Sequence, residues 1–217
     1  MSTSRAEKLR GSNNLLVRFT RFLGPWGLFF RGFLKHPVMV GSVIPSSPTL
    51  IRTMLKPVDW QNVKLFVEYG PGVGTFCRPV LERMRPDAML IAIDTNDEFV
   101  DYLNADIADS RFLAVHGSAA DVRKIIADHG FAHADFILSG LPFSTLPSGV
   151  GPAIARETQA ALRPGGAFLV YQYSPRVRKF IAPHFRDIDH GFEFWNIPPC
   201  QLYWAWKEEM AAKEIAA

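Results

Sequence analysis

Residues 68–76 read EYGPGVGTF, with Glu68, Gly70, Gly72 and Gly74 at alternate positions. Glycines so spaced permit unusual backbone angles and let a ligand approach the chain closely. Two readings follow, a nucleotide-binding turn or a plain tight turn. No Lys-Ser/Thr pair follows the glycines, which excludes the phosphate loop of the nucleotide hydrolases. The spacing also departs from the GxGxxG of dinucleotide enzymes. Asp94, followed by Thr95, stands about 20 residues further on, where a ribose diol needs an acceptor. A second candidate stretch is SGLPF, Ser139 to Phe143. A third is the pair Tyr171 and Tyr173 followed by SPRVRK, whose Arg176, Arg178 and Lys179 are suited to phosphate. For each the plain reading stands beside the chemical one: core packing for Phe143 and the tyrosines, a solvated charge run for the basic turn.

Metal chemistry has little support. Cys77 and Cys200 are far apart, and the six histidines form no HxE cluster. With no disulfide framework either, a reducing compartment is the default.

The elements that must position these residues emerge from hydrophobic patterning. Ser46 or Ser47 caps a helix that has Pro48 in its first turn. Apolar runs at 63–70, 89–94, 111–117, 134–140 and 167–173 read as strands. Helical stretches fall between them at 75–84, 96–104, 119–130 and 149–162, the last closed by RPGG. Short continuous apolar strands suit a sheet buried on both faces. The alternation predicts an α/β, Rossmann-like, doubly wound and mostly parallel sheet. Two further strands, in HFRDIDHGFEFW and CQLYWAWKE, bring the total to seven and predict an antiparallel C-terminal edge. The EYGPGVG turn then follows the first strand and opens a helix, where such folds approach a nucleotide.

The combination of ExGxGxG with an acid ending the second strand resembles the class I S-adenosylmethionine-dependent methyltransferases. That resemblance implies S-adenosyl-L-methionine as cofactor, with Glu68, Gly70, Gly72, Gly74, Asp94, Thr95 and Ser139 around it. It places the adenine against Gly117, Ser118 and Ala119, although many members carry Asp where Ser118 stands. SGLPF sits where the acceptor meets the methyl group, so Ser139, Gly140, Leu141 and Phe143, with Tyr173, become the catalytic candidates. Their roles would be backbone carbonyls orienting an amine and an aromatic face meeting the developing cation. The rRNA adenine dimethylases resemble this motif more distantly, but carry Asn at the position of Gly140. Glycine has no side chain to bind a base amino group.

GSVIPSSP, EYGPGVG, SGLPF and NIPPCQLYWAW, in that order over about residues 30–207, resemble the soluble bacterial phospholipid N-methyltransferases. This implies stepwise methylation of phosphatidylethanolamine towards phosphatidylcholine, with ornithine lipids as alternative amines. It also implies Ser46, Ser47, Tyr171, Arg176, Arg178 and Asn196 at the substrate. An RNA or small-molecule methyltransferase, or an inactive membrane-binding relative, are the competing readings.

The formal charge of +3 is uneven: residues 1–60 carry nine Lys/Arg against two acids. Residues 1–36 read as a basic amphipathic arm of helices with an aromatic stripe, ahead of a methyltransferase domain at 37–217. Arg31 and Lys35 interrupt any transmembrane span. The stripe either packs on the body or lies in a membrane interface, attracted to anionic lipid. The expected location is cytoplasmic, peripheral on the inner face of the membrane, with nucleic acid a less favoured partner.

Overall fold

The computed structural model describes residues 46–196 and 198–209. The arm at 1–36, its helices and its boundary with the domain lie outside the described residues.

Seven strands form one sheet in the order β3-β2-β1-β4-β5-β7-β6. They are β1 (Leu65–Tyr69), β2 (Met89–Asp94), β3 (Phe112–His116), β4 (Ala134–Ser139), β5 (Leu162–Gln172), β6 (Asp187–Glu193) and β7 (Cys200–Trp206). The first five are mutually parallel. β7 lies between β5 and β6 and runs antiparallel to both. Strand order reverses between β1 and β4, which opens a crevice beyond their carboxyl ends.

All five residues of β1 are buried. Alternation sends Phe66 and Glu68 to one side of the sheet and Leu65, Val67 and Tyr69 to the other. The first side is covered by α1 (Pro48–Leu55), α2 (Cys77–Leu81) and α3 (Asp97–Asp106). The second is covered by α4 (Val122–Asp128), α5 (Val150–Ala161) and α6 (Arg178–Ile181). α1 starts as expected: the Ser47 hydroxyl accepts from Leu50 N at 3.1 Å, and Pro48 occupies the first turn. Trp204 Nε1 donates to Met54 O at 2.9 Å and ties α1 to β7.

The sequence RPGG, expected to close a helix, is instead part of β5. α5 ends at Ala161 and the strand begins at the next residue. The cause is Asp135. Its carboxylate accepts from Lys64 N and Leu65 N at 2.8 and 2.9 Å and pairs with Arg163 Nε at 2.5 Å. This draws residues 162–166 onto the edge of β4, at the cost of a register shift between Ala134 and Phe136. The expected helix at 119–130 divides into a 3₁₀ turn, Ala119–Asp121, and α4. The 3₁₀ turn Pro175–Val177 and α6 were not foreseen.

Candidate active site

The glycine turn follows β1 at the reversal of strand order. Gly70, Gly72 and Gly74 have φ of 62°, 56° and 79°, which L side chains rarely adopt. A Cβ at Gly70 would stand 2.8 Å from Leu141 Cδ2, and one at Gly74 would stand 2.7 Å from Leu103 Cδ2. Gly72 differs, because nothing lies within 4 Å of where its Cβ would be. The turn therefore packs at its two ends and presents bare backbone at its middle.

Asp94 closes the same cradle from the end of β2. Its Oδ1 accepts from Asn96 N at 2.9 Å, and its Oδ2 lies 3.5 Å from Gly72 N. Burial lifts its pKa above the ordinary value, although those backbone donors pull the other way. Glu68 lies beneath the turn, 2 % exposed, and accepts a hydrogen bond from the Cys77 thiol at 3.1 Å. Burial pushes its pKa up to about 7; the thiol bond opposes this, and the charge of Asp94 adds to it. The Asp94 carboxylate favours a cation at this turn, and Glu68, with its pKa raised to about 7, adds to that only when ionised. Bare backbone at Gly72, an acceptor carboxylate at Asp94 and this negative environment fit a cationic nucleoside such as S-adenosylmethionine.

The turn after β3 joins the same end of the sheet through Gly117 N, which donates to Asp94 O at 2.9 Å. The Ser118 hydroxyl caps the 3₁₀ turn by accepting from Ala120 N at 3.2 Å. Ala119 is buried, and Thr95 is exposed with its carbonyl 3.2 Å from His116 Nε2.

Beyond β4, the Ser139 hydroxyl is fully buried and accepts from Leu141 N at 3.2 Å, which fixes the turn. Gly140 is buried beside Tyr171: a Cβ there would stand 2.2 Å from Tyr171 Oη and 2.7 Å from its Cζ. The glycine is thus the notch that admits the tyrosine hydroxyl. Tyr171 stacks on Phe76 with ring centroids 5.1 Å apart, and its hydroxyl is hydrogen-bonded to the side chain of Ser46. Burial, and then the negative charge of Glu68, hold its pKa well above the tyrosine norm. The Tyr173 side chain is hydrogen-bonded to Asn196. Asn196, 2 % exposed, accepts from Ser47 N at 3.0 Å and donates to Pro198 O at 2.9 Å. Ser46, Ser47, Gly140, Tyr171, Tyr173 and Asn196 are therefore one connected group, drawn from four separate stretches of chain.

Phe143 is a correction. Its ring is 2 % exposed and stacks on Phe180 at 6.0 Å, with Phe168 edge-on at 6.5 Å. It belongs to the core under α4 and α5, whereas Tyr171 packs on the opposite side of the sheet. A tight turn, in which Phe143 N donates to Leu141 O at 2.9 Å, carries it there, and it offers no face to an acceptor. Arg176, Arg178 and Lys179 are exposed beyond Tyr173.

Several site residues escaped the sequence reading. Phe76 and Cys77 support Tyr171 and Glu68. Buried Gln172 donates through Nε2 to Leu141 O and so ties β5 to the SGLPF turn. Glu193 accepts from Thr53 Oγ1 at 3.3 Å, latching β6 to α1. Only Gln172, a lone amide in an apolar strand, left a signal. Among the described residues, no group of three or more His, Cys, Asp or Glu could hold a metal ion, and no helix is long and apolar enough to cross a membrane.

No family model matches the chain. It is 32 % identical over 178 residues to an ornithine lipid N-methyltransferase of Singulisphaera acidiphila, covering 81 % of this chain and 93 % of the relative. Among solved structures it resembles a T. thermophilus 16S rRNA N2 methyltransferase in complex with AdoMet and guanosine. The TM-score is 0.58 at 19 % identity, over 78 % of this chain and 44 % of that one. It also resembles the N-methyltransferase NodS of Bradyrhizobium japonicum bound to S-adenosyl-L-homocysteine, with TM-score 0.58 at 13 % identity over 74 % and 85 % of the two chains.

Proposed function

The chain belongs to the class I S-adenosylmethionine-dependent N-methyltransferases, and within that family we propose that it methylates the primary amine of a membrane lipid. The observation that carries this reading is the notch at Gly140. The motif of the rRNA adenine dimethylases, which SGLPF resembles distantly, has Asn at the position of Gly140; here the Tyr171 hydroxyl lies 2.2 Å from where a Cβ on Gly140 would stand. One hydroxyl oxygen suits a small aliphatic amine better than the edge of an adenine, which offers a donor and an acceptor together.

When bound, the cofactor supplies an electrophilic methyl group on its sulfonium. The glycine turn and Asp94 hold the nucleoside end, with the Asp94 carboxylate receiving the ribose hydroxyls. A lipid amine is mostly protonated near neutral pH, so it loses one proton to water before reacting. Tyr171 keeps its own proton, since burial disfavours the phenolate. It accepts an N–H hydrogen bond from the amine and turns the lone pair towards the methyl group. Tyr173, Asn196 and the Ser46–Ser47 segment wall the acceptor pocket, and catalysis rests mainly on alignment.

The likeness to an ornithine lipid N-methyltransferase makes an ornithine lipid the first candidate acceptor. Ethanolamine phospholipids are the second, favoured by exposed Arg176, Arg178 and Lys179, which suit a phosphate that ornithine lipids lack. Either substrate would require the enzyme to work at a membrane surface, and the cytoplasmic face is the one proposed. The test is methyl transfer from labelled S-adenosylmethionine, with ornithine-lipid vesicles, ethanolamine-lipid vesicles and total RNA in parallel. Label in a lipid amine is expected. Label in RNA alone, or in neither lipid, overturns the proposal.

A further inference from the structure

Large hydrophobic side chains exposed among the described residues are four: Tyr173, Phe192, Phe194 and Trp195. Phe194 and Trp195 lie in the turn where β6 ends and doubles back towards β7, and Phe192 is near the end of β6. The fourth is hydrogen-bonded to Asn196, the next residue of that turn. Tyr173 is therefore joined to that turn through Asn196. Phe194 and Trp195 are 72 % and 81 % exposed, so they stand out from the surface. Scattered exposed apolar residues need no explanation, but a cluster of this kind marks a contact surface.

The turn is held firmly. Glu193, itself buried, accepts from Trp195 N at 3.0 Å and from Thr53 Oγ1 at 3.3 Å. Asn196 is bonded to Ser47 N and Pro198 O. Phe192 and Phe194 pack edge to face at 4.5 Å. These bonds fix the backbone while leaving the two largest side chains in solvent, where a mobile loop would fold them back.

We propose that the turn carrying Phe194 and Trp195, with Phe192 beside it, is an insertion edge that enters the interfacial layer of a lipid bilayer and sets the mouth of the acceptor pocket over the headgroups. This rests on the lipid-amine reading of the site for its purpose, but not for its geometry. Three observations select a bilayer as the occupant. Trp and Phe are the side chains that settle at the boundary between headgroups and acyl chains. Trp195 adjoins Asn196, whose side chain is hydrogen-bonded to Tyr173, so the edge lies beside the residues assigned to the acceptor and not on a remote face. The exposed cations Arg176, Arg178 and Lys179 follow Tyr173 closely and complement anionic lipid.

The experiment uses the full chain and vesicles of phosphatidylcholine with phosphatidylglycerol. Tryptophan emission is recorded with and without brominated acyl chains, for the wild type and for Trp195→Phe. Extra quenching in the wild type that is lost in Trp195→Phe is expected. In parallel, Phe194→Ser/Trp195→Ser should need at least about tenfold more lipid for half-maximal binding. It should keep its affinity for S-adenosyl-L-homocysteine and its rate on a short-chain lipid amine dispersed below its micelle threshold. Equal quenching in both proteins, or unchanged vesicle binding by the double variant, overturns the proposal. A wild-type dimer that the double variant dissolves also overturns it, by assigning the patch to a second copy of the chain. Quenching needs no turnover, so it reads the edge even if no lipid amine is methylated. Lipid methylation without Trp195 quenching would keep the activity and remove the edge.

Discussion

Gly140→Ala is the sharpest perturbation of the acceptor site. The added methyl would stand 2.2 Å from Tyr171 Oη, against 3.4 Å or more for ordinary contact. Tyr171 must then retreat by about 1 Å, and its stacking on Phe76 leaves it no slack on that side. Overpacking of this kind costs about 1–3 kcal/mol. For a chain of this size each kcal/mol lowers Tm by about 2–4 °C. The effect on activity is larger, because a displacement of about 1 Å at an aligned acceptor costs on the order of 100-fold in rate. Tyr171→Phe keeps the ring and removes one neutral hydrogen bond, so its loss should be about tenfold or less. Initial rates on lipid vesicles, Tm, and calorimetric binding of S-adenosyl-L-homocysteine would separate the effects; cofactor affinity should stay within about twofold. In a Tyr171→Ala background, Gly140→Ala should cost nothing further in Tm, since the two groups no longer compete for one space. Wild-type rate and Tm in Gly140→Ala, or a cost that persists undiminished without Tyr171, would refute the reasoning.

Two further substitutions address the cofactor side. Asp94→Ala removes the carboxylate facing Gly72 and should weaken S-adenosyl-L-homocysteine binding at least about tenfold by calorimetry, since a hydrogen bond to a charged group is worth about 1.5–3 kcal/mol; unchanged affinity in a folded protein removes Asp94 from the site. Glu68 has its pKa raised from 4.5 to about 7, so the native state holds its proton more tightly than the unfolded chain. That contribution to stability is complete below pH 4.5 and is lost as pH rises through 7. Its size is on the order of 3 kcal/mol. Denaturant titrations of the cofactor-free protein should therefore show wild-type stability declining over this window relative to Glu68→Gln, and parallel profiles would mean that Glu68 is not buried as a neutral acid.

Local chemistry wrote much of this protein directly into its sequence. Gly70, Gly72 and Gly74 are legible because only glycine tolerates their backbone angles, and Asp94 because strand ends fall at predictable points in a doubly wound sheet. The parallel pairing of the first five strands follows from continuous apolar runs separated by helices, which need no knowledge of distant contacts. Ser47 as a helix cap is a three-residue decision and is equally visible. Where long-range partners intervene, the sequence is mute. RPGG reads as a stop, yet Asp135 recruits Arg163 into a strand from 28 residues away. Phe143 reads as part of the acceptor motif, yet its turn delivers it to the far face of the sheet. Asn196 meets Ser47 across 149 residues. The meeting of Gly140 with Tyr171 has the same origin. Sequence supplies a missing side chain on one strand and a hydroxyl on the next, and only the lateral pairing of β4 with β5 puts that hydroxyl into the vacant place.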